Sequence, residues 1–376
     1  MYDTFQRLMA NATQLTRAGD LRAATAAIQA AFSGTPAPKQ ETDRATQGDA
    51  DVIEGEAREI DEGHSSLSPS PNPSKNHSAN AHAAASNSTR TTGQFISGSY
   101  SDKTCSLDYK LFIPAASRGK ALPLVVMLHG CSQTPDDFAL GTGMNEAAQA
   151  EGFFVLYPAQ TQSANPSRCW NWFKRSHQQR ALGEPAMIAQ MTQEITAQHR
   201  VDPERVYVAG LSAGGAMAAI VGGAYPDVFA AVGVHSGLAT GSARDVQSAF
   251  AVMKNGPSAG DFFRADGAVP TPPTIVFHGD QDATVNPGNG VRVAAVSAAD
   301  SDLQTESGLV TNGLSYTKHV FCSGKATVNT EHWVVHGAGH AWSGGNVRGS
   351  YTDARGPSAT LEMLRFFFAH RLNKTS

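Results

Sequence analysis

At 376 residues with 41% hydrophobic side chains, the chain can build one large domain or two average ones around a sizeable core. A formal net charge of -4, with no basic cluster interleaved with aromatics, argues against a nucleic-acid partner. The four cysteines lack C-x-x-C or Cys/His ligand spacing and the 13 histidines form no H-E-x-x-H cluster, so no metal and no cofactor are expected.

Residues 1–33 read as a helical hairpin. Phe5, Leu8, Met9, Ala12 and Leu15 recur at helical spacing, Gly19-Asp20 interrupts, and Leu21, Ala24, Ile28 and Phe32 resume the pattern. Such a hairpin packs on itself or on the rest of the chain, or docks a partner or an apolar surface. The first twenty residues hold no apolar core between a basic start and a small-residue cleavage site, so no Sec-type signal peptide is expected and the sequence by itself points to the cytoplasm. Residues 34–93 pass from an acidic stretch, "DADVIEGEAREIDEG", to "SSLSPSPNPSKNHSANAHAAASNST". Ser, Pro, Asn and Ala without apolar periodicity cannot bury enough surface to offset ordering entropy, which predicts a disordered linker.

From residue 94 to 376 strands and helices alternate. "CSLDYKLFIP" alternates in polarity like an outer strand, whereas "LPLVVMLHG", "GFFVLYPA", "RVYVAG", "FAAVGVHSG" and "PTIVFHG" are short apolar runs of the kind a buried parallel sheet uses. Helices are expected over Glu184–Arg200, Ala213–Tyr225 and Pro357–Leu372. The alternation predicts a doubly wound, mostly parallel α/β sheet. The longest apolar stretch, "AGGAMAAIVGGAY", ends at Pro226, short of the roughly 18 residues of a membrane span.

The candidate chemistry centres on "RVYVAGLSAGGAMAA". A strand that reverses into a helix within a few residues crowds its backbone, so Gly210, Ala213 and Gly214 leave room there, and Ser212 would stand at the turn as a nucleophile in G-x-S-x-G. On the pentapeptide alone, an ordinary Gly-rich connection is the other reading. A serine nucleophile needs a base and a group to orient it, and in this strand order the acid and the base follow later. "HGDQDATVNP" carries Asp280 and Asp282, of which Asp282, farther along the loop, is better placed to turn back to a histidine. His340, in the Gly-flanked "AGHAWSGG", is the expected base, with His336 as the alternative. Oxyanion donors are expected from the Ala213 N–H and, after the "VVMLHG" strand, the Cys131 N–H.

Five segments taken together, "LHGCSQTPDDFALGTGMNEAAQAEGFFVLYPAQ", "CWNWF", "VDPERVYVAGLSAGGAMAA", "HGDQDATVNP" and "GAGHAWSGG", resemble the polyhydroxybutyrate (PHB) depolymerase family of esterases, which is related to feruloyl and acetylxylan esterases. The resemblance spans Gln94 to Ala369. It implies the α/β-hydrolase fold, a Ser212–Asp282–His340 triad, an oxyanion hole at Cys131 and Ala213, and a polyester or other ester substrate. Members of the family are often extracellular. It also draws attention to Trp170, Trp172 and Trp342 as apolar substrate-binding surface, core packing being the other reading. A disulfide between Cys131 and Cys169 would brace the oxyanion loop, reduced thiols being the alternative in a cytoplasmic protein. The leading expectation is a serine esterase acting on hydroxyalkanoate polyesters or oligomers, or else on feruloyl or acetyl esters of plant polysaccharide. A non-catalytic granule-associated protein and a peptidase are more distant readings.

Overall fold

The structure is a computed structural model that describes residues 92–102, 106–115, 119–258, 272–298, 301–323 and 327–372. All belong to the second of the chain's two units, Ala84–Ser376. The helical hairpin expected over 1–33, and the expected linker apart from its last two residues, lie outside them.

Ten strands form one sheet. They are β1 (Gln94–Ser101), β2 (Ser106–Ile113), β3 (Leu122–Leu128), β4 (Phe154–Pro158), β5 (Val201–Leu211), β6 (Ala231–His235), β7 (Thr274–Gly279), β8 (Asp302–Leu309), β9 (Ser315–Ser323) and β10 (Thr327–Val335). Their order is β1-β2-β4-β3-β5-β6-β7-β10-β9-β8. The six strands from β4 to β10 run parallel, with antiparallel pairs closing both sides. β2 pairs with β1 on its outer side, and β1 forms that edge of the sheet.

Each central strand is apolar on both faces because helices cover both. Leu124, Val126 and Leu128 join one core with α3 (Gly183–Gln198), α4 (Ala213–Ala224), α5 (Val246–Asn255) and α6 (Gly288–Ser297). Val125 and Met127 face the other, with α1 (Pro135–Thr142), α2 (Met144–Glu151) and α7 (Ala359–Phe368). Period-two alternation along a strand thus feeds two hydrophobic layers, the pattern of a doubly wound sheet.

The register sets up the site. Leu211 lies opposite His235, His235 opposite Phe277, and Gly279 opposite Val335. The turns leaving β5, β7 and β10 therefore emerge along the same carboxyl edge, those of β5 and β7 one strand apart, where open α/β sheets bind ligands. Beyond β10, a short parallel pair, β11 (Trp342–Ser343) and β12 (Thr352–Asp353), holds the loop between them.

Candidate active site

Ser212 sits at the junction of β5 and α4 with φ 58° and ψ -120°, a left-handed conformation that is costly for any residue but glycine. The crossing dictates its neighbours. A Cβ on Gly214 would run into the carbonyl oxygens of Leu128 and His129, and one on Gly210 into the backbone of Gly214. The Ser212 N–H donates to His235 O at 2.8 Å and its carbonyl accepts from Ala216 N at 2.9 Å, while its side chain makes no capping bond to the helix. Backbone bonding on both sides holds the strained turn, and the hydroxyl is left out of it.

The structure gives each candidate aspartate its own histidine. Asp282 Oδ2 accepts from His340 Nδ1 at 2.7 Å, and Oδ1 accepts from the N–H groups of Thr284 (2.9 Å) and Val285 (2.8 Å). His278 Nε2 approaches the same carboxylate at 3.4 Å while bonding Val285 O at 2.9 Å. Burial alone would raise the Asp282 carboxyl, but hydrogen bonds from His278 and His340, the His340 charge and the Val285 N–H outweigh it and hold the group far below the usual carboxylate range. An ionised carboxylate only accepts, so His340 must carry its proton on Nδ1, leaving Nε2 as the basic nitrogen. Asp280 instead pairs with His336 at 2.9 Å and accepts from Gly337 N at 2.7 Å; His336 Nε2 is in turn engaged by Thr317 Oγ1 at 2.9 Å. The Asp280 pair lies at the surface, whereas the Asp282 side chain is fully buried. The two loops are sewn together by Asp280 N to Val335 O (3.1 Å) and Gln281 N to Ala338 O (3.0 Å).

The loop after β3 lies against Ser212: a Cβ on Gly130 would stand 3.7 Å from the Ser212 Cβ. The Gly130 carbonyl accepts from His129 Nδ1 at 2.7 Å and Gln133 N at 3.3 Å. Because the peptide is planar and trans, pinning that oxygen aims the Cys131 N–H the opposite way. That N–H has no acceptor among the described residues. The Ala213 N–H, first of α4, has no intrahelical acceptor either and carries the positive end of the helix dipole. The arrangement offers an anion two fixed donors beside a serine.

His129 is itself held. Its Nε2 accepts from Gln160 N at 3.1 Å, so Nδ1 carries the proton, and burial pushes its pKa down to about 4. Gln160 Nε2 reaches Glu184 Oε1 at 2.7 Å, and Glu184 also takes Asn171 N at 2.7 Å. A disulfide joins Cys131 to Cys169, with Cα atoms 4.2 Å apart. The loop after β3 is thus tied to the "CWNWF" loop by covalent and hydrogen bonds.

The family model described as Esterase PHB depolymerase matches residues 107–302, just over half of the chain. The chain belongs to that family. Ser212, Asp282, Cys131 and Ala213 fall within the matched span, and His340 lies beyond it. The poly(3-hydroxyalkanoate) depolymerase C of Paucimonas lemoignei is 39% identical over 175 residues, 44% of this chain and 42% of that protein. Feruloyl esterase B of Thermothelomyces thermophilus is 33% identical over 179 residues, 44% of this chain and 60% of that protein. The chain thus spans about half the length of these relatives. Among solved structures, an acetyl xylan esterase from Aspergillus awamori superposes with a TM-score of 0.54 at 19% identity, covering 65% of this chain and 94% of that one. At that identity the likeness carries the fold alone, the α/β-hydrolase fold expected from the sequence.

In this member of the PHB depolymerase family the three tryptophans do not form open cleft surface, which corrects the expectation for Trp170, Trp172 and Trp342. They are 0%, 4% and 1% exposed. Trp170 Nε1 donates to His129 O at 3.1 Å and Trp342 Nε1 to Thr360 Oγ1 at 3.0 Å, so each indole N–H is satisfied inward. Sequence reading passed over Gln160 and Glu184: a glutamine after a strand and an acid at a helix start look ordinary until the fold brings them beneath one loop. Among the described residues no group of three or more His, Cys, Asp or Glu could hold a metal ion, and no helix is long and apolar enough to cross a membrane.

Proposed function

We propose that the chain is a serine carboxylic-ester hydrolase in which Ser212, His340 and Asp282 form the triad and the N–H groups of Cys131 and Ala213 the oxyanion hole. The observation that carries this is the buried Asp282–His340 pair on the loops adjoining a strained serine turn. Ser212 Oγ attacks the ester carbonyl carbon as His340 Nε2 takes its proton, and the two N–H groups receive the oxyanion. The tetrahedral species collapses, the C–O bond to the alcohol breaks, and His340 returns the proton to the departing oxygen. Water, deprotonated by His340, then cleaves the acyl-enzyme. Asp282 holds the histidine tautomer and the charge it acquires.

Hydroxyalkanoate polyesters or their oligomers are the substrate class favoured by the family and by the similarity to a poly(3-hydroxyalkanoate) depolymerase. The similarity to a feruloyl esterase favours an aromatic acyl ester as the second reading. The test is to assay purified protein and its Ser212→Ala variant on polyhydroxybutyrate, hydroxybutyrate oligomers and methyl ferulate. Release of hydroxybutyrate acids lost in the variant is expected; turnover of methyl ferulate alone would transfer the assignment to the second class, and activity retained by the variant would reject the nucleophile.

A further inference from the structure

With Trp170, Trp172 and Trp342 buried, the aromatic surface beside the base comes from Tyr351. It is 47% exposed and its ring meets that of His340 edge to face, with centroids 6.5 Å apart at 81°. Its backbone is left-handed at φ 52°, an unfavourable state for a tyrosine. The surroundings impose it. Tyr351 O accepts from Trp342 N at 2.7 Å, and the preceding Ser350 is clasped by Asp137, which accepts from its N–H at 2.9 Å and its hydroxyl at 2.5 Å. The Gln133 amide donates to Ser350 O at 3.1 Å, and the same side chain accepts from Gly130 N at 2.9 Å in the oxyanion loop. One glutamine thereby sets the place of Tyr351 relative to the oxyanion donors.

We propose that Tyr351 is a specificity-determining residue that forms the wall for the alcohol portion of the ester. This rests on the reading of Ser212 and His340 given above. Chemistry fixes the side: the oxyanion points at Cys131 and Ala213, and His340 must hand its proton to the departing alkoxide, so the alcohol group lies beside the imidazole. A ring against that imidazole touches the alcohol and not the acyl chain. Its half-exposed face suits apolar or flat alcohol groups.

The test uses the full chain and two ester series, acetates of ethanol, hexanol and benzyl alcohol, and p-nitrophenyl esters of acetic, butyric and hexanoic acids. In Tyr351→Ala, kcat/KM for benzyl and hexyl acetate should fall about tenfold relative to ethyl acetate, the scale at which a pocket discriminates one apolar group. The acyl-chain preference and the deacylation rate of the acetyl-enzyme should stay within twofold, roughly the resolution of such ratios. Tyr351→Phe should behave as the parent. Tyr351→Leu, which keeps the bulk if the alanine variant does not fold, should retain the hexyl preference and lose the benzyl one. An equal drop for all esters, or a change in acyl preference with the alcohol preference intact, would overturn the proposal. Hydrolysis surviving in Ser212→Ala would overturn the underlying reading of the site, an outcome separate from any shift in selectivity.

Discussion

The backbone N–H of Gln160 donates to His129 Nε2 at 3.1 Å, and that bond decides which ring nitrogen His129 turns to the Gly130 carbonyl. With Nε2 accepting, His129 has only Nδ1–H to offer, and it goes to the Gly130 carbonyl. His129→Ala would leave the Gly130 carbonyl held by the longer Gln133 N–H bond alone, loosening the Gly130–Cys131 peptide, and leave the Gln160 N–H buried without a partner. We expect kcat to fall by about 10²-fold, as for loss of one oxyanion donor, with KM little changed. The unmet N–H should cost about 1–3 kcal/mol of stability. Steady-state kinetics beside urea unfolding will separate the two effects, and an unchanged kcat would show that the peptide keeps its orientation without the histidine.

The two aspartates should respond very differently to amidation. Asp282→Asn removes the buried acceptor of His340 and should lower kcat by on the order of 10⁴. Asp280→Asn loosens an exposed pair and should cost less than about tenfold, since such pairs contribute little. Measuring p-nitrophenyl butyrate hydrolysis in both variants checks the order, and the reverse ranking would give the acid role to Asp280.

The residues of this site were legible in the sequence where chemistry constrains local spacing. Gly210 and Gly214 announced the turn because no side chain fits the crossing, and the apolar runs of β3 to β7 announced a sheet buried on both faces. β8, "DLQTESGL", was not legible: it is an edge strand exposed along nearly its whole length, so no hydrophobic alternation marks it. Nor was Tyr351, whose significance comes from a loop folding back 11 residues after His340 to meet its ring. Tryptophans beside catalytic motifs suggested binding surface, but burial and inward hydrogen bonds were decided by packing across distant segments.

The Cys131–Cys169 bridge closes a separation of 38 residues, for which the chain-entropy model gives about 4 kcal/mol of stabilisation. Cys131→Ser and Cys169→Ser should therefore lower the melting temperature by similar amounts, and reductant should do so to the parent but not to the variants. Both serine variants keep the Cys131 N–H and should retain most activity under conditions where they are folded, whereas Cys131→Pro deletes the donor and should lose about 10²- to 10³-fold in kcat. Full activity in the proline variant would place the second donor elsewhere.

Stability should fall on the acid side well before the carboxylates titrate. Burial holds His129 at about 4, and holds His235 and His332 at about 3, His235 further lowered by the charges of His278 and His340, and His332 by those of His278 and His319. Below the ordinary value of 6.5 the unfolded chain binds protons at these positions that the folded protein refuses, so stability is full above about pH 7 and drains as pH falls toward 4. His129 alone contributes roughly 3 kcal/mol to that loss. Urea midpoints should be level from pH 8 to 7 and drop steeply from 6.5 to 4.5; a flat profile down to pH 5 would contradict it.

Gly214 packs against the carbonyl oxygens of Leu128 and His129, and this places an unusual limit on how the protein can be re-engineered. The nucleophile's helix and the oxyanion strand share one backbone junction, so a side chain added at Gly210 or Gly214 disturbs attack and charge stabilisation together and offers no route to change substrate choice by itself. The loop at 344–350 and Tyr351 beyond it hang instead between the strands of the small β11–β12 pair, outside the main sheet, and reach the loop after β3 through Ser350. Mutant libraries confined to 346–348 and 351, sparing Ser350 and the crowded glycines, should therefore yield variants with altered ester preference at near-parental turnover, while libraries of equal size at Gly210 and Gly214 should yield mostly dead enzyme.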